Sequence, residues 1–319
     1  MGAEKMMKLM QKTKITLGIY ALLLFVIILF IIVSPGSFSP SHLLNIFRQA
    51  TPLGIVAIGQ TLVLLVGGID LSVGAVISLV NVVAASMMMG NNDNIWITVF
   101  ITLLISGGIG FINGYTILKV KIPPFLVTLA MSLVIEGGYM VYTKGSPKGN
   151  IAGGFRIISD GWLGPMPVAG LIWLGIWGLL AFFLYRVTWG RKIYAIGGNP
   201  KAAYLSGVKT DILTITTYVL SSVLAGIAGL MISAYIGVAS VGVGNLYTLN
   251  SIAATVIGGT AFTGGRGGLA GTFAGVLIMS LLQSMMTMMN IPEAGKFVSQ
   301  GLIIAIMVAI NQHNIKRDQ

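Results

Sequence analysis

Ten stretches of this sequence are apolar over most of their length: 15–33, 51–66, 71–89, 95–118, 124–143, 167–185, 212–236, 250–263, 268–289 and 297–312. About 20 mostly apolar residues are needed to cross the hydrocarbon of a bilayer as a helix. Ten such spans would use about 200 of the 319 residues. Short loops and two short tails take the rest. The expected fold is an all-α polytopic membrane protein of about ten transmembrane helices, a single domain over 1–319.

Charge agrees. Only 8% of the residues are charged, against about 25% in a soluble protein. Too few charges are present to cover a soluble enzyme, and the absence of cysteine excludes a disulfide-stapled domain. The first span follows Lys5, Lys8, Lys12 and Lys14, as a signal peptide would, but it is too long for one. It ends in Ser34-Pro35-Gly36 rather than a small-x-small cleavage site, so a retained helix is expected.

Lys and Arg collect on the cytoplasmic side of a membrane protein. With both termini inside and ten alternating spans, the inner side holds Lys5, Lys8, Lys12, Lys14, Lys119, Lys121, Arg186, Arg191, Lys192, Lys201, Lys209, Arg266, Lys316 and Arg317. The outer side holds only Arg48, Lys144, Lys148, Arg156 and Lys296. An N-in, C-in topology follows. It also explains the net charge of +11 without any nucleic-acid partner.

Two spans carry internal breaks. Segment 51–66 runs into Gly67-Gly68-Ile69-Asp70-Leu71-Ser72. Segment 250–263 is short and contains Gly258-Gly259, followed by Gly264-Gly265-Arg266-Gly267-Gly268. Broken helices in matching halves point to a transport site, because unwound backbone is tolerated only beside a cavity or other protein. The two breaks share a pattern: apolar run, glycine pair, polar residue, further glycine, long apolar span. About 185 residues separate the copies, a spacing that suits a duplicated transporter half better than a solenoid repeat. Glycine-rich turns that simply recur in membrane proteins are the alternative reading.

Asp70 is costly inside a span, about 2.5–3.5 kcal/mol on insertion scales. It reads either as a helix cap or as part of a pathway, and the two are compatible. Gln60, Ser72, Asn81, Asn113, Thr128, Thr260 and Gln283 read either as the lining of a hydrophilic route or as interhelical hydrogen bonds. Glu136 lies nearer the outer end of its span. Gly110 with Gly114, Gly267 with Gly271 and Gly271 with Gly275 have the spacing of close helix contacts. The Met285, Met286, Met288 and Met289 cluster reads as adaptable packing rather than copper ligation. His42 and His313 show no metal spacing, so neither metal nor cofactor is expected. Phosphate-loop, G-x-S-x-G and H-E-x-x-H signatures are missing, so no catalytic residue is expected.

The longest inner loop, 186–211, contains Asn199-Pro200, which can start a short helix, and Gly207, which can end it. Gly190-Arg191-x-Ile193-Tyr194-Ala195-Ile196-Gly197-Gly198-Asn199-Pro200, followed by Leu205-Ser206-Gly207, resembles the characteristic loop of ribose/galactose/xylose-type ABC transporter permeases. Three more blocks resemble the same family: 67–74; Asn113-Gly114 with Ile122 to Leu129; and Ala253-Ala254 through Thr260 with Gly264, Gly265, Gly267, Gly271 and Thr272. Family members usually carry an acid where Lys201 stands and an arginine where Tyr204 stands. An arginine before a glycine is common at Glu136, and Thr248 and Asn250 replace an acidic pair.

The resemblance implies a bundle of about ten helices in the bacterial plasma (inner) membrane. It implies cytoplasmic ATP-binding subunits gripping the loop through Gly190, Arg191, Tyr194, Gly197, Gly198, Asn199, Pro200, Ala203, Leu205 and Ser206. It also implies an extracytoplasmic sugar-binding protein and a second permease copy or paralogue. The expected function is the membrane path of an ABC importer for a monosaccharide, with ATP hydrolysis on a partner. A nucleoside or another small polar solute is the alternative. A stand-alone secondary transporter would need more intramembrane carboxylates than Asp70 and Glu136. An intramembrane enzyme would need a nucleophile–base or metal set that cannot be assembled.

Overall fold

Helix α2 is the axis of the molecule. In the computed structural model, which describes residues 2–33, 39–292, 294–299 and 301–302 (side chains from 17 onward), it runs Pro40–Leu65. Ser39 caps it by accepting from the His42 N–H at 3.2 Å, and Pro40 suits the first turn. Every residue from Leu53 to Leu65 is buried. Small residues allow this: Gly54 lies under the Trp173 ring, and Gly59 lies against the Ser221 backbone.

The other helices are α1 (Gly2–Val33), α3 (Val73–Met88), α4 (Ile95–Lys119), α5 (Pro124–Thr143), α6 (Ile157–Asp160), α7 (Val168–Arg186), α8 (Thr188–Gly198), α9 (Pro200–Leu205), α10 (Thr210–Ile236), α11 (Asn245–Ile257) and α12 (Leu269–Met288). A two-residue hairpin, β1 (Trp162–Leu163) with β2 (Met166–Pro167), precedes α7. Helix α10 packs on α2, α3 and α4, and α12 packs on α1, α2 and α11. Gly110 and Gly114 bring α4 onto the backbone of Tyr218, Val219 and Ile215, as their spacing predicts. Gly271 and Gly275 bring α12 equally close to Gly258 and Ala254.

Large apolar side chains face outward on α1 (Phe25, Ile32), α4 (Trp96, Phe100, Leu104), α5 (Leu133, Val134, Val141) and α7 (Leu179, Phe182). In water such a surface would drive association; in lipid it is the solvated face. Five helices among the described residues are long and apolar enough to span: Asn92–Lys119, Pro124–Thr143, Val168–Arg186, Thr210–Ile236 and Leu269–Met288. They correspond to five of the ten expected spans. The expected spans 15–33 and 71–89 fall on α1 and α3, whose apolar parts, Leu17–Val33 and Val73–Met88, are shorter.

Two expectations need correction. Segment 51–66 is the second half of a longer helix that starts at Pro40 and passes through Pro52. Segment 250–263 breaks at Gly258, as its glycines predict, but its helical part is too short to be a span. It falls on α11, whose 13 residues cover about 20 Å at 1.5 Å each, less than the bilayer core. The span expected at 297–312 lies mostly outside the described residues.

At one end of the bundle, residues 149–160 meet the chain after α10. Ile151 donates to the Gly237 carbonyl at 2.9 Å, and Ala239 donates to Gly149 at 3.2 Å. Arg156 and Arg48 both reach Asp160, at 2.9 and 3.6 Å. Helices α8 and α9 lie at the other end.

Candidate functional site

The chain between α2 and α3 is unwound, and Gly68, Asp70 and Ser72 within it are buried. Asp70 Oδ1 accepts from the Ser72 N–H at 3.0 Å and from the Ser72 hydroxyl at 2.6 Å. This is the local turn that aspartate favours. Oδ2 accepts from the Ser221 hydroxyl of α10 at 2.9 Å. Ser72 Oγ in turn accepts from Asn113 Nδ2 of α4 at 3.0 Å. Thr128 of α5 accepts from the Leu71 N–H at 3.1 Å, and its hydroxyl lies 3.2 Å from the Ile69 carbonyl. Four sequence-expected residues, Asp70, Ser72, Asn113 and Thr128, thus form one junction between three helices and the break.

The other expected residues lie elsewhere. Asn81 joins α3 to α10: its Nδ2 donates to Ser233 at 3.1 Å and to the Val238 carbonyl at 3.3 Å, and its Oδ1 accepts from Ser240 N–H at 2.7 Å. Thr260 closes the second break by accepting from the Gly268 N–H at 3.3 Å. Gln60 is fully buried, and neither of its amide atoms has a partner. Ser221 was not legible as a site residue. It is one of many hydroxyls in an apolar span, and only the fold brings it to Asp70.

The second break, 258–268, is held mainly by backbone, with Thr260 and Tyr194 supplying the side-chain bonds. Gly259, Gly264, Gly265, Gly267 and Gly268 all have positive φ, where a side chain is strained. Gly265 N–H donates to the Leu65 carbonyl at the end of α2, 3.0 Å away. Ala261 N–H donates to Arg266 at 3.1 Å.

Helix α8 sits on both breaks at once. A Cβ at Gly197 would strike the Leu65 carbonyl and the Gly265 amide nitrogen. A Cβ at Gly264 would lie 3.0 Å from both Gly197 and the Gly67 nitrogen. Three glycine segments far apart in sequence therefore meet at one point. The Tyr194 hydroxyl donates to the Gly267 carbonyl at 2.9 Å. Burial holds the Tyr194 phenol above its ordinary pKa, so this donor stays protonated in any physiological range.

This divides the ten residues that the resemblance places on the loop surface. Gly190, Tyr194, Gly197 and Ala203 turn inward: Gly190 abuts Leu184, and Ala203 is buried. Arg191, Gly198, Asn199, Pro200, Leu205 and Ser206 are exposed. Asn199 caps α9 by accepting from Ala202 N–H at 3.0 Å. Tyr204 and Leu205 are 67% and 76% exposed on α9, between Lys201 and Lys209, an apolar point within a basic rim.

Residues 42–307 match the family described as branched-chain amino acid transport system / permease component. That stretch contains both breaks and the α8–α9 surface. The chain belongs to this family. Among its relatives are the ribose import permease protein RbsC of Bacillus subtilis (strain 168), 35% identical over 95% of this chain and 93% of the relative; the galactose/methyl galactoside import permease protein MglC of Escherichia coli (strain K12), 30% identical over 92% and 93%; and the fructose import permease protein FrcC of Rhizobium meliloti, 30% identical over 97% and 88%. No solved structure matches the chain. The resemblance to sugar-type ABC permeases therefore holds along nearly the whole chain, and this family member is a multi-pass permease of the bacterial inner membrane.

Proposed function

We propose that the chain forms the translocation path of an ABC importer for a monosaccharide. The observation that carries this is the position of α8: one short helix outside the spanning segments touches both broken regions of the bundle. A force applied to α8 and α9 from outside would reach the Asp70 junction and the α11–α12 hairpin together. ATP-binding subunits on the cytoplasmic side would supply that force through Arg191, Gly198, Asn199, Pro200, Leu205 and Ser206. ATP hydrolysis is theirs. The inward set, Gly190, Tyr194, Gly197 and Ala203, would pass the movement on.

In this reading residues 1–319 form a single transmembrane domain with about ten spans and both termini inside, and 186–211 is its coupling loop. The solute would be delivered from outside by a sugar-binding protein, and a second copy or a paralogue would complete the path. The Asp70, Ser72, Asn113 and Thr128 junction would border that path. The relatives named for ribose, galactose and fructose support a sugar as solute.

Proteoliposomes test this, with ribose, galactose, fructose, a nucleoside and leucine as labelled solutes. Uptake of a sugar should require ATP, the ATP-binding subunits and the binding protein. Full-rate uptake by this chain alone, without ATP, would overturn the proposal. Gly198→Trp tests the outer surface separately, because no atom lies within 4 Å of a Cβ there. It should release the ATP-binding subunits and leave the fold intact.

A further inference from the structure

The end of the bundle opposite α8 contains a pocket of about 330 Å³ that none of the residues discussed so far explains. It lies where the start of α2, the start of α11 and the end of α12 meet. This is the lower end of the size range of small-molecule sites, about 300–1,000 Å³. His42, Gln49, Ser280, Gln283, Ser284 and Thr287 line it, together with Lys296 and the ring of Phe297. In so uncharged a chain this is a concentration of amides and hydroxyls. Those groups both donate and accept, as the hydroxyls of a sugar do. His42 is held in place: its ring stacks 6.0 Å from Phe30, and its Nε2 lies 3.5 Å from Ser284 Oγ.

A second observation lies deeper along two of the same helices, beyond the residues that line the pocket. Gln60 follows Gln49 by eleven residues, three turns of α2, so both lie on one face, about 16 Å apart along the axis. Asn250 follows the pocket residue Leu246 by four residues, one turn of α11. Gln60 is fully buried and Asn250 is 3% exposed, and Gln60 Nε2, Gln60 Oε1 and Asn250 Oδ1 have no partner. Buried amides are normally bonded. Two orphans on helix faces that begin in one polar pocket are suited to a hydrogen-bonding guest that comes and goes.

We propose that this pocket is the outer subsite for a neutral polyhydroxylated solute and that Asn250, one turn in, and Gln60, three turns in, are successive hydrogen-bonding groups beyond it. The inference rests on the sugar-importer reading and adds where the solute first meets this chain.

The chain has no cysteine, so single thiols report cleanly. Gln49→Cys and Ser284→Cys would be placed in the full transporter with its ATP-binding subunits, in nanodiscs. Both should react with a membrane-impermeant methanethiosulfonate. D-ribose, D-galactose or D-fructose should slow that reaction several-fold, and sodium acetate should not. Gln60→Leu should cut ATP-driven uptake about tenfold, the worth of one lost bond, while melting no lower than wild type. A purely structural Gln60 would lose stability and uptake together. Absence of labelling, absence of sugar protection, equal protection by acetate, or undiminished uptake in Gln60→Leu would each overturn the proposal. Failure of the wild-type transporter to move any sugar would instead overturn the importer reading, since thiol protection is scored without transport.

Discussion

The two glycine breaks look alike in sequence and are built differently. The first, 66–72, is held by side chains: Asp70, Ser72, Asn113, Thr128 and Ser221 connect it to α4, α5 and α10. The second, 258–268, is held mainly by backbone in positive-φ turns, with single side-chain bonds from Thr260 and Tyr194, and α11 folds back along α12 through Gly258, Gly271 and Gly275. Helices α2 and α3 form no such hairpin. The first break should therefore be sensitive to polarity as well as to volume, since a Cβ at Gly68 would also strike the Tyr218 hydroxyl, and the second chiefly to volume. A shared motif specifies that the chain unwinds, and its neighbours specify how it is held.

The largest expected effect tests volume. A Cβ at Gly275 runs into the Ala254 carbonyl, so Gly275→Val should cost about 4 kcal/mol, read by thermal unfolding in detergent. Gly137→Val on α5 has open space and should change little. Comparable melting of the two variants would break the contrast.

Polarity comes next. Asp70→Leu leaves the Ser72 amide and the Ser72 and Ser221 hydroxyls without an acceptor, and should cost about 3 kcal/mol. Asp70→Asn keeps an acceptor toward Ser72 and offers a donor to Ser221, so the loss should be about 1 kcal/mol. Its uptake should show the same pH profile as wild type. A strong pH dependence that disappears in Asp70→Asn would assign proton transfer to this residue instead.

A smaller effect tests the link between the breaks. Tyr194→Phe removes one hydrogen bond to Gly267, about 1 kcal/mol. It should keep the ATP-binding subunits bound and yet lower uptake per ATP hydrolysed. Loss of the subunits would put Tyr194 on the docking surface. Smallest of all, Lys119→Ala breaks an exposed pair with Asp211 at 3.8 Å and should shift stability by about 0.5 kcal/mol or less.

The spans on α4, α5, α7, α10 and α12 were legible because each is a long apolar run between polar ends. The first half of α2 was not. His42, Asn45, Arg48 and Gln49 interrupt its hydropathy, and they are polar because Arg48 reaches Asp160 while His42 and Gln49 line a pocket. Both breaks were visible from their glycines. The division of the α8–α9 loop was not, since Gly197 and Gly198 are equivalent in sequence until Leu65 and Gly265 are placed beside one of them. Nor does any local pattern distinguish Asn81, a connector, from Asn113, a junction residue. Their partners lie 152 and 41 residues away.

Helix α2 raises a question of biogenesis. It precedes α7, α10, α11 and α12, on which it packs, and is not among the five described helices that can span by length and composition. Its burial depends on α10 and α12, more than 140 residues downstream. Until those helices are made, Arg48, Gln60 and Thr61 face whatever surrounds the nascent chain. Insertion of α2 should therefore depend on helices made after it. On this account the central strut is sheltered, or left half-inserted, until α10 and α12 arrive to enclose it.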